Sequence, residues 1–526
     1  MDDLQAEQPE AGETPSVQAQ QEQARKDVGF LTDVLKLVSG TGFIQILSLI
    51  VSPILGRLFL PEYFGISQNF SSIVAVLAVL AALRYEVTIM LPKAREGSAN
   101  QLAVSLMFTG ISFLILTPIL WFGREPIAQL LRSPELAGYL WLAPLSVAVT
   151  SVFAALRNWN SRNRKYLRLS AAQVSSEVVA DATKLSLGFS EFKGGGSLIA
   201  ANVVGQVVST GVLGWQIWRD DGVFIRSSLR WREMMAGIRQ YKKFPLYNIW
   251  AAFLSNASLQ MPTFMLSAMF SPTVTGFYSL GYRMLRLPIT LISNSIGQVF
   301  YQRASRAYYE GSLTRLVAET FNRLVVFGLF PMLLVTLIGK ELFVVLFGPE
   351  WAEAGVYSQI LSLWTFFVFM VAPLSGLTNV LGRNEVSLVL NLVVFVTRVA
   401  SLAIGGWLQD ARLALILFSA SGVVTYAVYC LWATRISGVP VRETLRMFFD
   451  GMLSSAPFLG VVALFKWVIP LPQASLTALQ VPLQGLLLLV ISAVMGAAYY
   501  LWALWRDPTL RSALTPMLAR LGFRKK

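Results

Sequence analysis

"FSPTVTGFYSLGYRMLRLPITLISNSIGQVFY", residues 270 to 301, decides how this chain is read. Its apolar length suits a helix crossing a hydrocarbon core about 30 Å thick, which takes roughly 20 residues at about 1.5 Å each. Two arginines, Arg283 and Arg286, nevertheless stand inside it. A charge at that depth costs about 2.5–3.5 kcal/mol on insertion scales, so two of them at i and i+3 need a partner or a task. The opening "FSPTVTG" also has a counterpart, because "FLPEYFG" at 59 to 65 shares F-x-P-x-x-x-G at an offset of 211 residues.

The counterpart is not isolated. "LRSPELA" (131 to 137) and "LFGPEWA" (346 to 352) share L-x-x-P-E-x-A at an offset of 215, and "RNRKYL" (162 to 167) and "RNEVSL" (383 to 388) share R-N-x-x-x-L at 221. Three matches in order, in equivalent connections, predict two halves of like orientation packed about an axis along the membrane normal. Composition agrees with a polytopic membrane protein: 55% of the 526 residues are hydrophobic and 14% charged, with a mean hydropathy of +0.58. Apolar runs predict an all-α chain of about fourteen spans, near 34–59, 66–91, 98–121, 138–156, 169–189, 196–217, 246–270, 276–301, 320–347, 355–381, 386–407, 411–434, 452–470 and 481–505. These divide into a disordered tail (1–29), an N-lobe of six spans (30–218), a linker (219–245), a C-lobe of six spans (246–435) and a final pair of spans with a basic tail (436–526).

An even number of spans puts both termini on one side. Roughly thirty Lys and Arg fall on that side and about seven on the other, which by the positive-inside rule makes it cytoplasmic. Most of the formal charge of +14 is therefore topology, and nucleic-acid binding is not needed to explain it. In the linker, Trp231, Met234, Met235, Ile238 and Tyr241 recur at helical spacing among basic residues, the pattern of a helix lying on an anionic lipid surface. Histidine is absent and Cys430 is the single cysteine, which removes His general bases, His metal sites and internal disulfides.

Polar groups at membrane depth carry the remaining signal. Arg283 and Arg286 share a face of the eighth span that Asn294 continues; the seventh span supplies Asn256 and Gln260, the first Gln45 and Arg57, the second Asn69, Arg84 and Glu86. These are the first two spans of each half, and a polar, net basic cavity between the lobes accommodates them economically. Arg84 and Glu86 also suit a local ion pair, Asp181 and Lys184 in the fifth span suit another, and lone Arg398 suits a structural pair. Glu86, Asp181 and Glu177 are alternatively carboxylates that couple transport to H⁺ or Na⁺. No acid occurs in the seventh or eighth span to neutralise Arg283 and Arg286, and planar guanidinium forks suit a pyrophosphate that would otherwise not leave water.

"LRYEVTIMLP" (83 to 92), the block from "YKKFPLYNIW" (241) to "QVFYQRA" (304) and the opening "VSGTGFIQILSLIVSPILGRLFLPEYFG" (38 to 65) resemble the Wzx-type oligosaccharide flippases. These are the polysaccharide-transport branch of the multidrug/oligosaccharidyl-lipid/polysaccharide exporter superfamily, related to the lipid II flippases. The resemblance implies a bacterial inner-membrane protein with a V-shaped pair of six-helix lobes. It would move an undecaprenyl-pyrophosphate-linked oligosaccharide from the cytoplasmic to the periplasmic leaflet, for surface polysaccharide, exopolysaccharide or O-antigen synthesis, without a cofactor. Membrane lipids, a polysaccharide polymerase and other biosynthesis proteins are the implied partners.

On this reading Arg283, Arg286, Arg84 and Arg57 hold the pyrophosphate, and Gln45, Asn69, Asn256, Gln260 and Asn294 contact sugar hydroxyls. Two other classes compete. A cation-coupled drug exporter of the same fold wants acids in its lumen, and the first, seventh and eighth spans have none. A membrane glycan polymerase or ligase wants a large outward loop with reacting groups, and the longest here runs only from about 122 to 137.

Overall fold

A computed structural model describes residues 42–287, 289–468, 475–476 and 481–506. The expected 1–29 tail and the basic end after the last span lie outside these residues. Helices come in chain order as α1 Gly42–Leu58, α2 Pro61–Ala81, α3 Arg95–Leu130, α4 Ala143–Arg162, α5 Tyr166–Gly188 and α6 Gly195–Ser228. A surface helix, Trp231–Gln240, leads to α7 Ile249–Met269. Next comes α8 Pro272–Leu285, whose path resumes as a π-helical turn Ile289–Ser293 and the helix Asn294–Tyr309. The chain ends in α9 Leu313–Phe347, α10 Ala352–Leu374, α11 Asn384–Trp407, α12 Ala411–Ile436, α13 Val441–Trp467 and α14 Leu483–Arg506. The departure from an all-α chain among the described residues is a strand pair, Ser475–Leu476 with Val481–Pro482, between α13 and α14.

Ten helices among the described residues are long and apolar enough to cross a membrane: α2, α3, α4, α6 and α9 to α14. The other full-length helices fall short for a reason visible in their residues. Glu177, Asp181 and Lys184 interrupt α5, Asn256 and Gln260 dilute α7, and α8 breaks after Arg283 and Arg286. Several helices begin or end beyond their apolar runs, α3 and α13 among them. α3 continues to Leu130, and α13 starts at Val441 because Arg442, Glu443, Arg446 and Asp450 form a solvated first stretch ahead of its apolar part.

With lipid tails as apolar as leucine, helices associate by close backbone approach and by interhelical hydrogen bonds rather than by a hydrophobic drive. Gly339 of α9 and Gly355 of α10 illustrate this, since a Cβ on Gly355 would stand 2.6 Å from the Gly339 carbonyl oxygen. Gly205 of α6 meets α5 in the same way, its added Cβ falling 2.8 Å from the Ser176 carbonyl oxygen. In the first half α2 packs on α4 and α6, and α5 on α6; in the second, α9 packs on α10 and α10 on α12. α13 and α14 attach to α9, where the Tyr499 and Tyr500 hydroxyls donate to the Val326 and Phe327 carbonyls at 3.0 Å.

The halves meet where α2 crosses α7 and α8. Each F-x-P-x-x-x-G motif starts a helix: Pro61 and Pro272 occupy first-turn positions, where a missing N–H costs nothing. Each motif glycine then lies one turn on, at the crossing. A Cβ on Gly65 would fall 1.7 Å from the Pro272 carbonyl oxygen, and one on Gly276 1.9 Å from that of Pro61. The second pair of motifs interlocks with the opposite half too. Ser267 donates to the Leu131 carbonyl at 2.6 Å, Arg57 to those of Val345 and Leu346 at 2.6 and 3.2 Å, and Trp351 Nε1 to that of Gly56 at 2.7 Å. Phe64, Phe277 and Phe347 surround buried Trp351, with the Phe64 ring 5.0 Å away edge-on. This end of the bundle is a closely packed, reciprocal seam.

At the opposite end, Asp221 of α6 gathers three elements. It accepts from Arg95 Nη2 at 2.6 Å and from buried Trp159 Nε1 at 3.1 Å, with Lys165 Nζ 3.7 Å away. Leaving the Trp159 donor buried without a partner costs about 1–3 kcal/mol. Asp221→Ala is therefore expected to lower the thermal midpoint of the detergent-solubilised protein while leaving ligand affinity unchanged. An unaltered midpoint would mean that water replaces the carboxylate.

Candidate functional site

Between the halves lies a cavity of about 750 Å³. It is lined from α1, α2, α5, α6, α7, α8, α10, α11 and α12, and so includes α5, α7 and α8, the helices that fall short as apolar spans. Polar residues there face space rather than lipid. Four basic side chains, Lys184, Arg283, Arg286 and Arg398, and one acid, Glu177, reach its wall. Lys184 is held by Asp181 at 2.9 Å, both buried. The formal charge left on the wall is positive, three arginines against Glu177.

The three arginines differ in how far they are committed. Arg283 Nη2 donates to Ser48 Oγ of α1 at 2.8 Å and lies 3.6 Å from Glu177 Oε1 of α5, so it bridges the halves and is partly neutralised. Arg286 stands over the Tyr282 ring at 5.6 Å. Arg398 lies 5.6 Å from both the Trp364 and Phe418 rings, with Nη2 3.4 Å from the Tyr426 hydroxyl. Among the described residues, Arg286 and Arg398 have no carboxylate partner. Aromatic faces hold a guanidinium without discharging it, which leaves its donor edges for an anion.

The sequence candidates separate accordingly. Arg283, Arg286, Gln45, Gln260 and Glu177 line the cavity, with Gln260 also accepting from Ser72 Oγ at 2.8 Å. Arg57 lies instead in the seam described above. Arg84 sits at the left-handed break after α2, donating to Glu86 at 3.1 Å and to Asn248 Oδ1 at 3.0 Å, so it ties the halves at the end opposite the seam. Asn69 is fully buried between α2 and α7, donating to Ser267 Oγ at 2.7 Å. Asn256 caps its own helix turn through the Ala252 carbonyl at 2.9 Å and does not line the cavity. The Asn294 side chain lies outside the described residues. Arg398 reached the wall although its sequence suggested a structural pair. The usable signal was an arginine with no acid within reach on its own helix, as for Arg286.

A narrower chamber of about 410 Å³ opens beside the central cavity inside the first half, and shares Ile44, Gln45 and Glu177 with it. Among the described residues no group of three or more His, Cys, Asp or Glu side chains is placed to hold a metal ion. The central arrangement can do one thing well: hold a compact dianion by charge-assisted, forked hydrogen bonds at mid-bundle depth.

A profile of the family described as "Polysaccharide biosynthesis protein" matches residues 54–356, more than half of the chain. No curated protein sequence matches it. Among solved structures, the inward closed conformation of the lipid II flippase MurJ is similar with a TM-score of 0.70 at 13% identity, over 89% of this chain and 99% of that one. An inward-facing multidrug resistance MATE transporter of the MOP superfamily is similar with a TM-score of 0.51 at 16% identity, over 76% of this chain and 94% of that one. At these identities the likeness is one of fold.

Proposed function

This chain belongs to the polysaccharide biosynthesis protein family, and from that membership we infer that it is a flippase, not an enzyme, which carries a lipid-pyrophosphate-linked oligosaccharide across the membrane. The observation that carries the reading is the pair Arg286 and Arg398, charged, without a carboxylate partner among the described residues, and turned into a cavity between two halves. Arg286 and Arg398 hold the pyrophosphate with Arg283, Gln45 and Gln260 meet sugar hydroxyls, and the polyprenyl tail stays in lipid at a gap between the lobes. A cationic drug finds four basic side chains and one acid on the same wall, which disfavours export of cations.

In this reading the chain has fourteen spans in the bacterial inner membrane with both termini cytoplasmic. Two six-helix lobes are related by a pseudo-twofold axis, and α13 and α14 are appended to them. The reciprocal seam at Gly65 and Gly276 supports that axis, since two like surfaces meeting about a twofold exchange the same contacts. The seam then closes the periplasmic end, and rocking of the lobes alternates access. A polysaccharide polymerase and other assembly proteins would receive the product.

Deleting the gene should cause lipid-linked oligosaccharide to accumulate on the inner leaflet, with restoration by the intact chain. Normal outer-leaflet delivery in the deletion strain would refute the assignment. For coupling to H⁺ or Na⁺, the three candidate acids are unequally placed. Glu86 is held by Arg84 at 3.1 Å and Asp181 by Lys184 at 2.9 Å, while Glu177 faces the cavity with Arg283 3.6 Å away. Glu177→Gln is expected to abolish the response of transport to an ion gradient, whereas Glu86→Gln and Asp181→Asn change protein abundance. A gradient response that survives Glu177→Gln would place coupling elsewhere.

A further inference from the structure

The central cavity's two walls have different chemistry. On the second half's side stand Arg286 and Arg398 among aromatic rings. On the first half's side the cavity continues into the 410 Å³ chamber between α1, α4, α5 and α6, whose polar lining is amides and hydroxyls with Glu177 as its one charged group. Gln45, Thr150, Gln173, Ser176, Gln206 and Thr210 stand there on four different helices, and those on α4, α5 and α6 lie about 10–23 Å from the nearer end of their helix at 1.5 Å per residue. Neutral polar groups concentrated at mid-membrane depth are expensive unless they meet one another or a ligand. They meet one another only in part. Gln206 Oε1 accepts from Thr150 Oγ1 at 3.4 Å and, outside the chamber lining, from Ser146 Oγ at 2.6 Å, and Thr210 donates to the Val149 carbonyl at 3.3 Å. Gln173 Oε1 is buried with no hydrogen-bond partner.

We propose that this chamber is the glycan subsite: it takes sugar rings of the oligosaccharide beyond the pyrophosphate, so the substrate lies across the molecule with its diphosphate on the second half and its glycan in the first. The proposal deepens the flippase reading and rests on it. No cation lines the chamber and its one charged group is Glu177, so the diphosphate is held more weakly there than beside Arg286 and Arg398. Amide and hydroxyl groups match the paired donor and acceptor character of sugar hydroxyls, and Phe153 supplies an apolar face for a pyranose ring. The volume lies within the range of about 300–1,000 Å³ usual for ligand pockets.

The test uses the purified full-length protein and two probes, undecaprenyl pyrophosphate with no sugar and undecaprenyl-pyrophosphate-linked oligosaccharide extracted from the producing cell. Gln173→Leu and Thr210→Val are expected to weaken binding of the glycosylated lipid about tenfold and leave that of the sugar-free lipid unchanged. Both replacements put apolar groups at mid-membrane depth, so insertion is not compromised. Arg286→Ala is expected to weaken both probes. Unchanged binding of both probes in Gln173→Leu and Thr210→Val would overturn the subsite, and so would an equal loss of both, which marks a structural role. If Arg286→Ala weakens neither probe while Gln173→Leu weakens the glycosylated one, the pyrophosphate assignment fails and the subsite stands. Failure of the unmodified protein to bind either lipid would overturn the flippase reading and the subsite with it.

Discussion

Replacing both Arg286 and Arg398 by alanine is expected to abolish oligosaccharide transport at unchanged membrane abundance. A dianion at this depth has no water to substitute for a lost guanidinium, and truncating one side of a buried charged hydrogen bond costs about 2–5 kcal/mol. Each single substitution should therefore weaken binding on the order of 30-fold or more, at about 1.4 kcal/mol per tenfold. Folding should be unharmed, because each change removes a charge that is costly to insert. Lysine should restore part of the function at either position, keeping the charge while losing both the fork and the stacking on Tyr282, Trp364 and Phe418. Arg283→Ala should be milder, since Glu177 already neutralises part of its charge. Transport counted per molecule in variants matched by immunoblot measures this, and normal export by the double alanine variant would make both arginines structural.

Alanine at Gly65 or Gly276 is expected to hold the seam open. The added Cβ would stand 1.7 or 1.9 Å from a backbone carbonyl oxygen, which cannot rotate away as a side chain can. Overpacking of this kind costs about 1–3 kcal/mol, or about 5- to 150-fold in the ratio of closed to open forms. Transport should fall because the closed form becomes rare. The native background is convenient for a labelling test, as Cys430 is the single cysteine and is buried. Ser67→Cys, half a turn from Gly65 on the cavity side, should resist a membrane-impermeant maleimide added from the periplasm. It should react in the presence of Gly276→Ala, and continued protection there would show that the seam does not govern access.

The sequence announced the seam and half of the cavity for different reasons. The F-x-P-x-x-x-G motifs are local: proline starts a helix and glycine one turn on allows a crossing, so their repetition was readable without knowing what they touched. Arg286 was readable because a charge inside an apolar span demands an explanation. Arg57 and Arg84 raised the same demand; the Arg84–Glu86 pair was readable from a spacing of two residues, but the Val345 and Leu346 carbonyls that meet Arg57 and the Asn248 amide that meets Arg84 belong to the other half and are visible only once the halves are packed. Arg398 and the chamber residues Gln173 and Gln206 were obscured in another way. None of them stands out among the polar groups of its own helix, and only the convergence of α4, α5 and α6, or of α10, α11 and α12, turns them into walls.

The central claim is best tested by reconstituting the purified protein alone into liposomes that carry undecaprenyl-pyrophosphate-linked oligosaccharide, and following its exposure to a lectin outside the vesicle. The account predicts that lipid first confined to the inner leaflet becomes accessible at a rate that depends on the protein, saturates with substrate and is lost in Arg286→Ala/Arg398→Ala. Exposure no faster than in protein-free liposomes, under every ion gradient applied, would contradict it.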